Sequence, residues 1–160
     1  MNELILHLGT NQGSRIRNLD LCQLLINQQI GFVESVSSDY ETEAWGNTDQ
    51  PSFINRALLL QCRLSPEKVL KKIHIIESKL GRIRKIKWGP RIIDIDIIFF
   101  GQQIIENPNL KIPHTELTNR NFVLIPLMDI CPSFIHPILN KTVKDIYKVS
   151  KDTLKVEKIR

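Results

Sequence analysis

Long hydrophobic runs are missing from this sequence of 160 residues. A membrane-spanning helix needs roughly 18 or more consecutive apolar residues, and no segment approaches that length. The first residues, MNELILHLG, contain too short an apolar stretch to resemble a secretion signal. We therefore expect a cytoplasmic protein that does not enter a membrane.

Cysteine is scarce as well. The three cysteines, Cys22, Cys62 and Cys131, are far apart and form no Cys-x-x-Cys pair. A disulfide framework would need an even number of cysteines, and a zinc site would need closely spaced ones. The sequence therefore predicts three ordinary buried thiols.

Acidic residues are absent from one short segment in which positive charge is concentrated. Between positions 82 and 91 the basic residues are Arg82, Arg84, Lys85, Lys87 and Arg91, and the whole chain has a net charge of +5. Such a local concentration of cations indicates an anionic binding partner.

Apolar residues, in contrast, make up 42% of the chain, which is enough to build a hydrophobic core at this length. The sequence contains no repeat, linker or low-complexity segment. We therefore expect a single domain over residues 1–160, and we expect it to be a monomer.

The spacing of apolar residues and turn signals predicts six elements in the first hundred residues. Their order is strand, helix, strand, strand, helix, strand, which is the ferredoxin-like βαββαβ order of an α+β fold. In that fold both helices pack on one face of an antiparallel sheet. Ser14 and Gly31 mark the ends of the first helix, and Ser65 and Gly81 mark those of the second. The six elements are expected near residues 3–9, 14–31, 32–40, 53–64, 65–81 and 88–101.

The remaining residues predict a C-terminal extension made of a hairpin and helices. Residues 102–114 are typical of a short hairpin, interrupted at Asn107 and Pro108. Residues 118–130 predict a helix bent by Pro126, and residues 142–150 predict a last helix.

Two carboxylates stand out in the sixth element, because the strand is otherwise rich in isoleucine and phenylalanine. Alternate strand residues share a face, so Asp94 and Asp96 point to one side while Ile93 and Ile95 point to the other. A carboxylate pair of this kind suits Mg²⁺, which prefers hard oxygen ligands together with substrate phosphates. The alternative is a solvated polar face of the sheet. Arg91, three residues earlier, favours the metal–phosphate interpretation.

The longer motif around these acids resembles a known family signature. Residues 87–98, KWGPRIIDIDII, are similar to the signature of the 6-hydroxymethyl-7,8-dihydropterin pyrophosphokinase family. Three other segments also resemble that family: LGTN at 8–11, FINRA at 53–57 and IPHTELTNRNFVLIPL at 112–127. The resemblance thus covers most of the chain.

Membership of this family implies transfer of the pyrophosphoryl group of ATP to the hydroxymethyl oxygen of the pterin, with release of AMP. It implies ATP as co-substrate and two Mg²⁺ ions held by Asp94 and Asp96. It also implies that Arg82 and Arg91 act in catalysis by binding the phosphates.

The resemblance also implies two sets of substrate contacts. Residues that match the family's ATP contacts are His74, Glu77, Lys87, Trp88, His114, Thr115 and Arg120. Residues that match its pterin contacts are Thr42, Trp45, Gly46, Phe53, Asn55 and Phe122, with the ring stacked between the two phenylalanines. Because His74 and Glu77 are three residues apart, we expect them to share a helix face.

Two other classes of protein remain as alternatives. An RNA-recognition module has the same element order, but the expected aromatic platform is missing from INRALLLQC at 54–62, so we expect no nucleic-acid partner. A regulatory ferredoxin-like domain that binds a small ligand would leave the acidic pair merely solvated. In either case Phe53 and Phe122 would be plain core residues.

Overall fold

The computed structural model of the chain describes residues 1–44, 49–83 and 90–160. Its strands are β1 (Asn2–Thr10), β2 (Gly31–Val36), β3 (Tyr40–Thr42), β4 (Phe53–Cys62), β5 (Asp94–Phe100), β6 (Ile105–Asn107), β7 (Leu110–Ile112) and β8 (Val156–Lys158). Its α-helices are α1 (Arg15–Gln29), α2 (Pro66–Lys79), α3 (Asn121–Ile130) and α4 (Val143–Lys148).

One antiparallel sheet organises the described part of the chain. The strand order is β5-β1-β4-β3-β8, and β2 pairs with β4 beside β3. Strands β6 and β7 form the predicted hairpin at the side of this sheet. An antiparallel sheet with helices packed against it confirms the predicted mixed class of fold.

The helices cover both faces of the sheet. Apolar residues of α1 and α2 pack on one face, against alternate residues of β1 and β5 such as Leu6 and Ile95. Residues of α3 and α4 pack on the other face, against Ile5 and Phe99. The C-terminal extension therefore supplies a second core on the face that α1 and α2 leave open, a placement that the sequence did not predict.

The predicted strand at residues 32–40 is wrong in one respect, because it is divided into β2 and β3. At the division, Ser37 pairs with Ala57 through its backbone N–H, which donates to the Ala57 carbonyl at 3.0 Å. The Ser37 hydroxyl then accepts the N–H of Ala57 at 2.8 Å. A serine side chain thus replaces one backbone acceptor at the point where the strand is interrupted between β2 and β3.

The helix ends follow the predicted signals for α2 and depart from them for α1. Ser65 caps α2 by accepting the N–H of Lys68, and Gly81 follows the helix with a φ of 94°. Ser14 precedes α1 without a side-chain cap bond. Gly31 does not end α1 as a left-handed residue: it begins β2, where an added Cβ would lie 2.2 Å from the carbonyl oxygen of Gln61.

Strand β8 was not predicted. It pairs with β3 from Val156 to Lys158.

Within residues 1–44, 49–83 and 90–160, no helix is long and apolar enough to cross a membrane.

Candidate active site

The two predicted carboxylates begin β5 and lie on one face of the sheet. Asp94 and Asp96 both line a pocket, while Ile95 between them is buried in the core on the opposite face. Their partners on β1 are Gly9 and His7, respectively. The predicted shared face of the two acids is therefore confirmed.

Asp94 is held by two arginines. One of its carboxylate oxygens accepts from Arg82 at 2.7 Å, and the other accepts from Arg91 at 3.2 Å. Arg82 also pairs with the buried carboxylate of Glu77, which accepts the backbone N–H of Ile95 at 3.0 Å. Glu77 thus anchors both an arginine and the strand segment that separates the two aspartates.

Asp96 is in a more strongly acidic environment. Its pKa is raised to about 8, first by burial and then by the negative charges of Asp94 and Glu77. The part of its surface that remains exposed lines the pocket. The nearest described imidazole nitrogen, Nε2 of His114, lies 4.0 Å away, and burial lowers the pKa of that histidine. Arg91 and Arg120 lower the pKa of Asp96, but by less than burial and the two acids raise it, so the protein compensates a negative charge there only in part.

These two carboxylates fit a magnesium site that is completed by a substrate. In the ranges described, no three His, Cys, Asp or Glu side chains cluster closely enough to hold a metal on their own. Mg²⁺ does not require such a cluster, because it is usually bound by one or two carboxylates together with phosphate oxygens. The pKa of Asp96 is raised first by burial and then by neighbouring negative charge, and a cation bound there would favour the ionised carboxylate.

The opposite side of the pocket is formed by an amide with a fixed orientation. Asn55 is 1% exposed, and its NH₂ group donates to the hydroxyl of Thr42 at 3.0 Å and to the carbonyl of Tyr40 at 3.4 Å. The carbonyl oxygen of the same side chain lies on the side of Gly9, at the floor of the pocket. This network orients Asn55 before any ligand binds.

Aromatic rings complete the pocket. Phe53 at the start of β4 and Phe122 at the start of α3 both contribute to the lining. The described residues that line the pocket are His7, Gly9, Thr42, Glu43, Phe53, Asn55, Arg91, Asp94, Asp96, Arg120 and Phe122.

The LGTN segment fixes the backbone next to the pocket. Asn11 donates its backbone N–H to the carbonyl of Arg91 at 3.0 Å, and its side-chain oxygen accepts the N–H of Arg91 at 2.7 Å. Its amide group also donates to Gln50 and to the carbonyl of Pro51. One asparagine therefore ties the end of β1 to the arginine beside Asp94 and to the segment before β4.

The residues predicted to contact ATP are less closely grouped. Arg120 lines the pocket, but Thr115 is exposed. His74 is exposed on α2, whereas Glu77 is 2% exposed and faces β5. The two side chains therefore differ in environment, although positions three apart are neighbours on a helix surface. Positions three apart on a helix differ by about 60° around its axis, which here separates a solvated side chain from a buried one.

Four predicted site residues lie outside the described residues: Trp45, Gly46, Lys87 and Trp88. Three described residues that the sequence analysis did not assign to the site also line the pocket, namely His7, Gly9 and Glu43. A signal was available for His7, because it is the one imidazole within the apolar segment LILHL of β1.

The fold and the pocket define a class of protein. Carboxylates and arginines at one end of the pocket suit a metal–phosphate ligand. A buried amide and two aromatic rings in the same pocket suit a flat polar ring. The arrangement is therefore that of an enzyme that binds both ligands next to each other.

Comparisons with known proteins identify the family. Residues 5–132 match the sequence profile described as 7,8-dihydro-6-hydroxymethylpterin-pyrophosphokinase (HPPK). The 2-amino-4-hydroxy-6-hydroxymethyldihydropteridine pyrophosphokinase of Aquifex aeolicus is 39% identical over 145 residues, which cover 91% of this chain and 90% of that protein. The folic acid synthesis protein FOL1 of Dictyostelium discoideum is 40% identical over 141 residues, covering 88% of this chain and 21% of that protein.

A solved structure is similar in fold. The crystal structure of Plasmodium falciparum HPPK-DHPS superposes with a TM-score of 0.75 at 20% identity, over 92% of this chain and 43% of that one. The chain belongs to the 7,8-dihydro-6-hydroxymethylpterin pyrophosphokinase family. It is therefore a transferase of folate biosynthesis.

Proposed function

We propose that this enzyme transfers the pyrophosphoryl group of ATP to the hydroxymethyl oxygen of 6-hydroxymethyl-7,8-dihydropterin in the pocket described above, with release of AMP. The observation that supports this location is the meeting of two different environments in one pocket. Asp94 and Asp96 line it together with Asn55, Phe53 and Phe122.

The pterin occupies the aromatic end. Phe53 and Phe122 provide the apolar surfaces between which a flat ring stacks, and Asn55 hydrogen-bonds its polar edge. Thr42 acts through Asn55, because its hydroxyl accepts from the amide and fixes its orientation. Trp45 and Gly46, which lie outside the described residues, complete the proposed set of pterin contacts.

The triphosphate lies at the acidic end, where Asp94 and Asp96 would hold two Mg²⁺ ions. Mg²⁺ held by these carboxylates would supply positive charge beside the phosphates. Arg91 faces the same pocket and meets phosphate oxygens directly. Arg82 holds Asp94 in place and is itself anchored by Glu77.

Positioning and fixed charge account for most of the catalysis in this proposal. Phosphoryl transfer depends mainly on alignment and on cations near the transferred group. Arg120 lines the pocket near Phe122, and it joins His74, Lys87, Trp88, His114 and Thr115 as the proposed nucleotide contacts. Glu77 supports this group from behind the sheet through its bonds to Arg82 and to the β5 backbone.

The fold is proposed to be of the ferredoxin-like type. The strand order β5-β1-β4-β2, with α1 and α2 on one face, supports this assignment. Strand β3 and the C-terminal extension are then additions to that unit, within one domain of residues 1–160 that acts as a monomer.

A product assay tests the proposal. The protein is incubated with ATP, Mg²⁺ and reduced hydroxymethylpterin, and the nucleotide products are separated. AMP formed in equal amount to the pterin diphosphate is the expected result, with no turnover when EDTA replaces Mg²⁺. ADP as the product, or binding of pterin without any turnover, would contradict it; the second outcome would favour a regulatory domain.

A further inference from the structure

A proline inside α3 removes one helical hydrogen bond at the edge of the pocket. In an α-helix the N–H of each residue donates to the carbonyl four positions earlier. Position 126 is a proline, which has no N–H, so the carbonyl of Phe122 loses its helical donor. Phe122 is also the residue of α3 whose ring lines the pocket.

The missing donor is replaced by a side chain from another element. Nε2 of His7 lies 3.1 Å from the carbonyl oxygen of Phe122. A carbonyl can only accept, so Nε2 carries the hydrogen and donates it. His7 is 4% exposed, and its ring lies 5.8 Å from that of Phe122 at an angle of 55°.

The position of His7 gives this bond a direct connection to the site. His7 is in the central strand β1, where its partners are Asp96 on β5 and Ala57 on β4. A residue there cannot move without disturbing the sheet, so it is a rigid point of attachment for the first turn of α3. The N-terminal end of that turn is held separately, by Asp152, whose carboxylate accepts the N–H of Asn121 at 2.8 Å; the bond from His7 is the restraint at the Phe122 carbonyl.

We propose that His7 is a positioning residue for the pterin. It replaces the hydrogen bond that Pro126 removes, and it thereby holds Phe122 at the distance from Phe53 that a stacked pterin ring requires. The inference rests on the proposed role of Phe122 in stacking the pterin. It assigns a function to a residue of β1 that contacts the phenylalanine and acts on the substrate through it.

The first test separates the donor from the bulk of the side chain. His7→Gln keeps an N–H₂ donor at a similar reach, whereas His7→Leu and His7→Met fill the space without one. We expect the donor-free variants to raise the KM for the pterin about tenfold, the effect of one lost hydrogen bond at a partly buried carbonyl, with the KM for ATP within about twofold of wild type. His7→Gln should stay near the wild-type KM for both substrates. Equal KM values for the pterin in His7→Leu, His7→Met and wild type would overturn the inference. An equal rise of that KM in His7→Gln, His7→Leu and His7→Met would overturn it as well.

The second test uses Pro126 itself. Pro126→Ala restores an N–H that can donate to the Phe122 carbonyl, so the effect of His7→Leu on the pterin KM should become much smaller in that background. The same tenfold effect in both backgrounds would show that the carbonyl is not the link, and the inference would fail. Urea-unfolding midpoints of each variant accompany the kinetics.

Two controls complete the design. His136→Leu makes the same chemical change at a buried histidine that does not line the pocket, so it should lower stability without raising the pterin KM relative to that for ATP. Phe122→Leu tests the underlying function. If it raises the pterin KM and His7→Leu does not, only the role of His7 is wrong; if it leaves the pterin KM unchanged, the proposed pterin site fails and the role of His7 fails with it.

Discussion

A methyl group added at Gly9 should stabilise the protein and weaken pterin binding at the same time. Gly9 lies in β1 at the floor of the pocket, between Asn55 and Phe53. An added Cβ would lie 3.5 Å from the oxygen of Asn55 and 3.6 Å from the ring of Phe53, which are ordinary contacts. The protein therefore has room for Gly9→Ala, and the space that the methyl group fills is space that the substrate is proposed to use.

The two expected effects have opposite signs. Glycine in a strand interior is less favourable than alanine by about 0.5–1 kcal/mol, so the free energy of unfolding should rise by that amount. Forcing an extra methyl group into a filled binding space costs about 1–3 kcal/mol, which corresponds to a loss of pterin affinity of roughly 5- to 150-fold. ATP binding should change little.

Urea denaturation and calorimetric titration with each substrate measure these quantities separately. Gly31→Ala is the matched control, because its Cβ would lie 2.2 Å from the carbonyl oxygen of Gln61 in the neighbouring strand. That variant should lose stability, far from the pocket. Wild-type pterin affinity in Gly9→Ala would refute the reasoning, since it would mean that the floor of the pocket is not in contact with the ring.

Three further predictions concern the site and its support. Asn55→Ala should weaken pterin binding about tenfold and ATP binding hardly at all, as measured by titration with each ligand; equal losses would contradict the assigned role. Asp39→Asn should lower the free energy of unfolding in urea by about 1–3 kcal/mol. Arg56, which is 3% exposed, would lose the charged partner that it contacts at 2.7 and 2.8 Å and would keep its ion pair with the more exposed Asp20. An unchanged free energy of unfolding would argue against a buried pair. Burial lowers the pKa of His136, so folding favours its neutral form. The contribution of His136 to the free energy of unfolding should therefore be lost as pH falls below about 6.5. A urea midpoint that depends on pH between 7 and 5 as strongly in His136→Leu as in wild type would contradict this.

The sequence predicted best where the signals were local. Ser65, Pro66 and Gly81 define α2 through the chemistry of a cap, a first turn and a left-handed end, and the structure has the helix there. Alternation along β5 was enough to place Asp94 and Asp96 on one face, because the period of a strand is two residues. These features depend on residues within about one turn of each other.

The predictions failed where distant segments meet. Nothing near Val156 indicates that β8 will pair with β3, more than a hundred residues earlier, because strand pairing depends on which edge is left open. Gly31 has the position of a helix-ending glycine, yet it is required by the close approach of Gln61. Glu77 is buried although its neighbour His74 is exposed, because Arg82 and a backbone N–H on β5 both donate to its carboxylate.

The central claim is that the two acids at the start of β5 carry the metal and phosphate chemistry, and the double variant Asp94→Ala/Asp96→Ala tests it most directly. We predict that AMP formation from ATP and the hydroxymethylpterin falls by roughly a thousandfold or more, since a bound metal contributes several kcal/mol to the transition state. Cooperative urea unfolding and pterin binding should both persist, because Asn55, Phe53 and Phe122 are unchanged. A folded double variant that forms AMP at the wild-type rate would contradict the account.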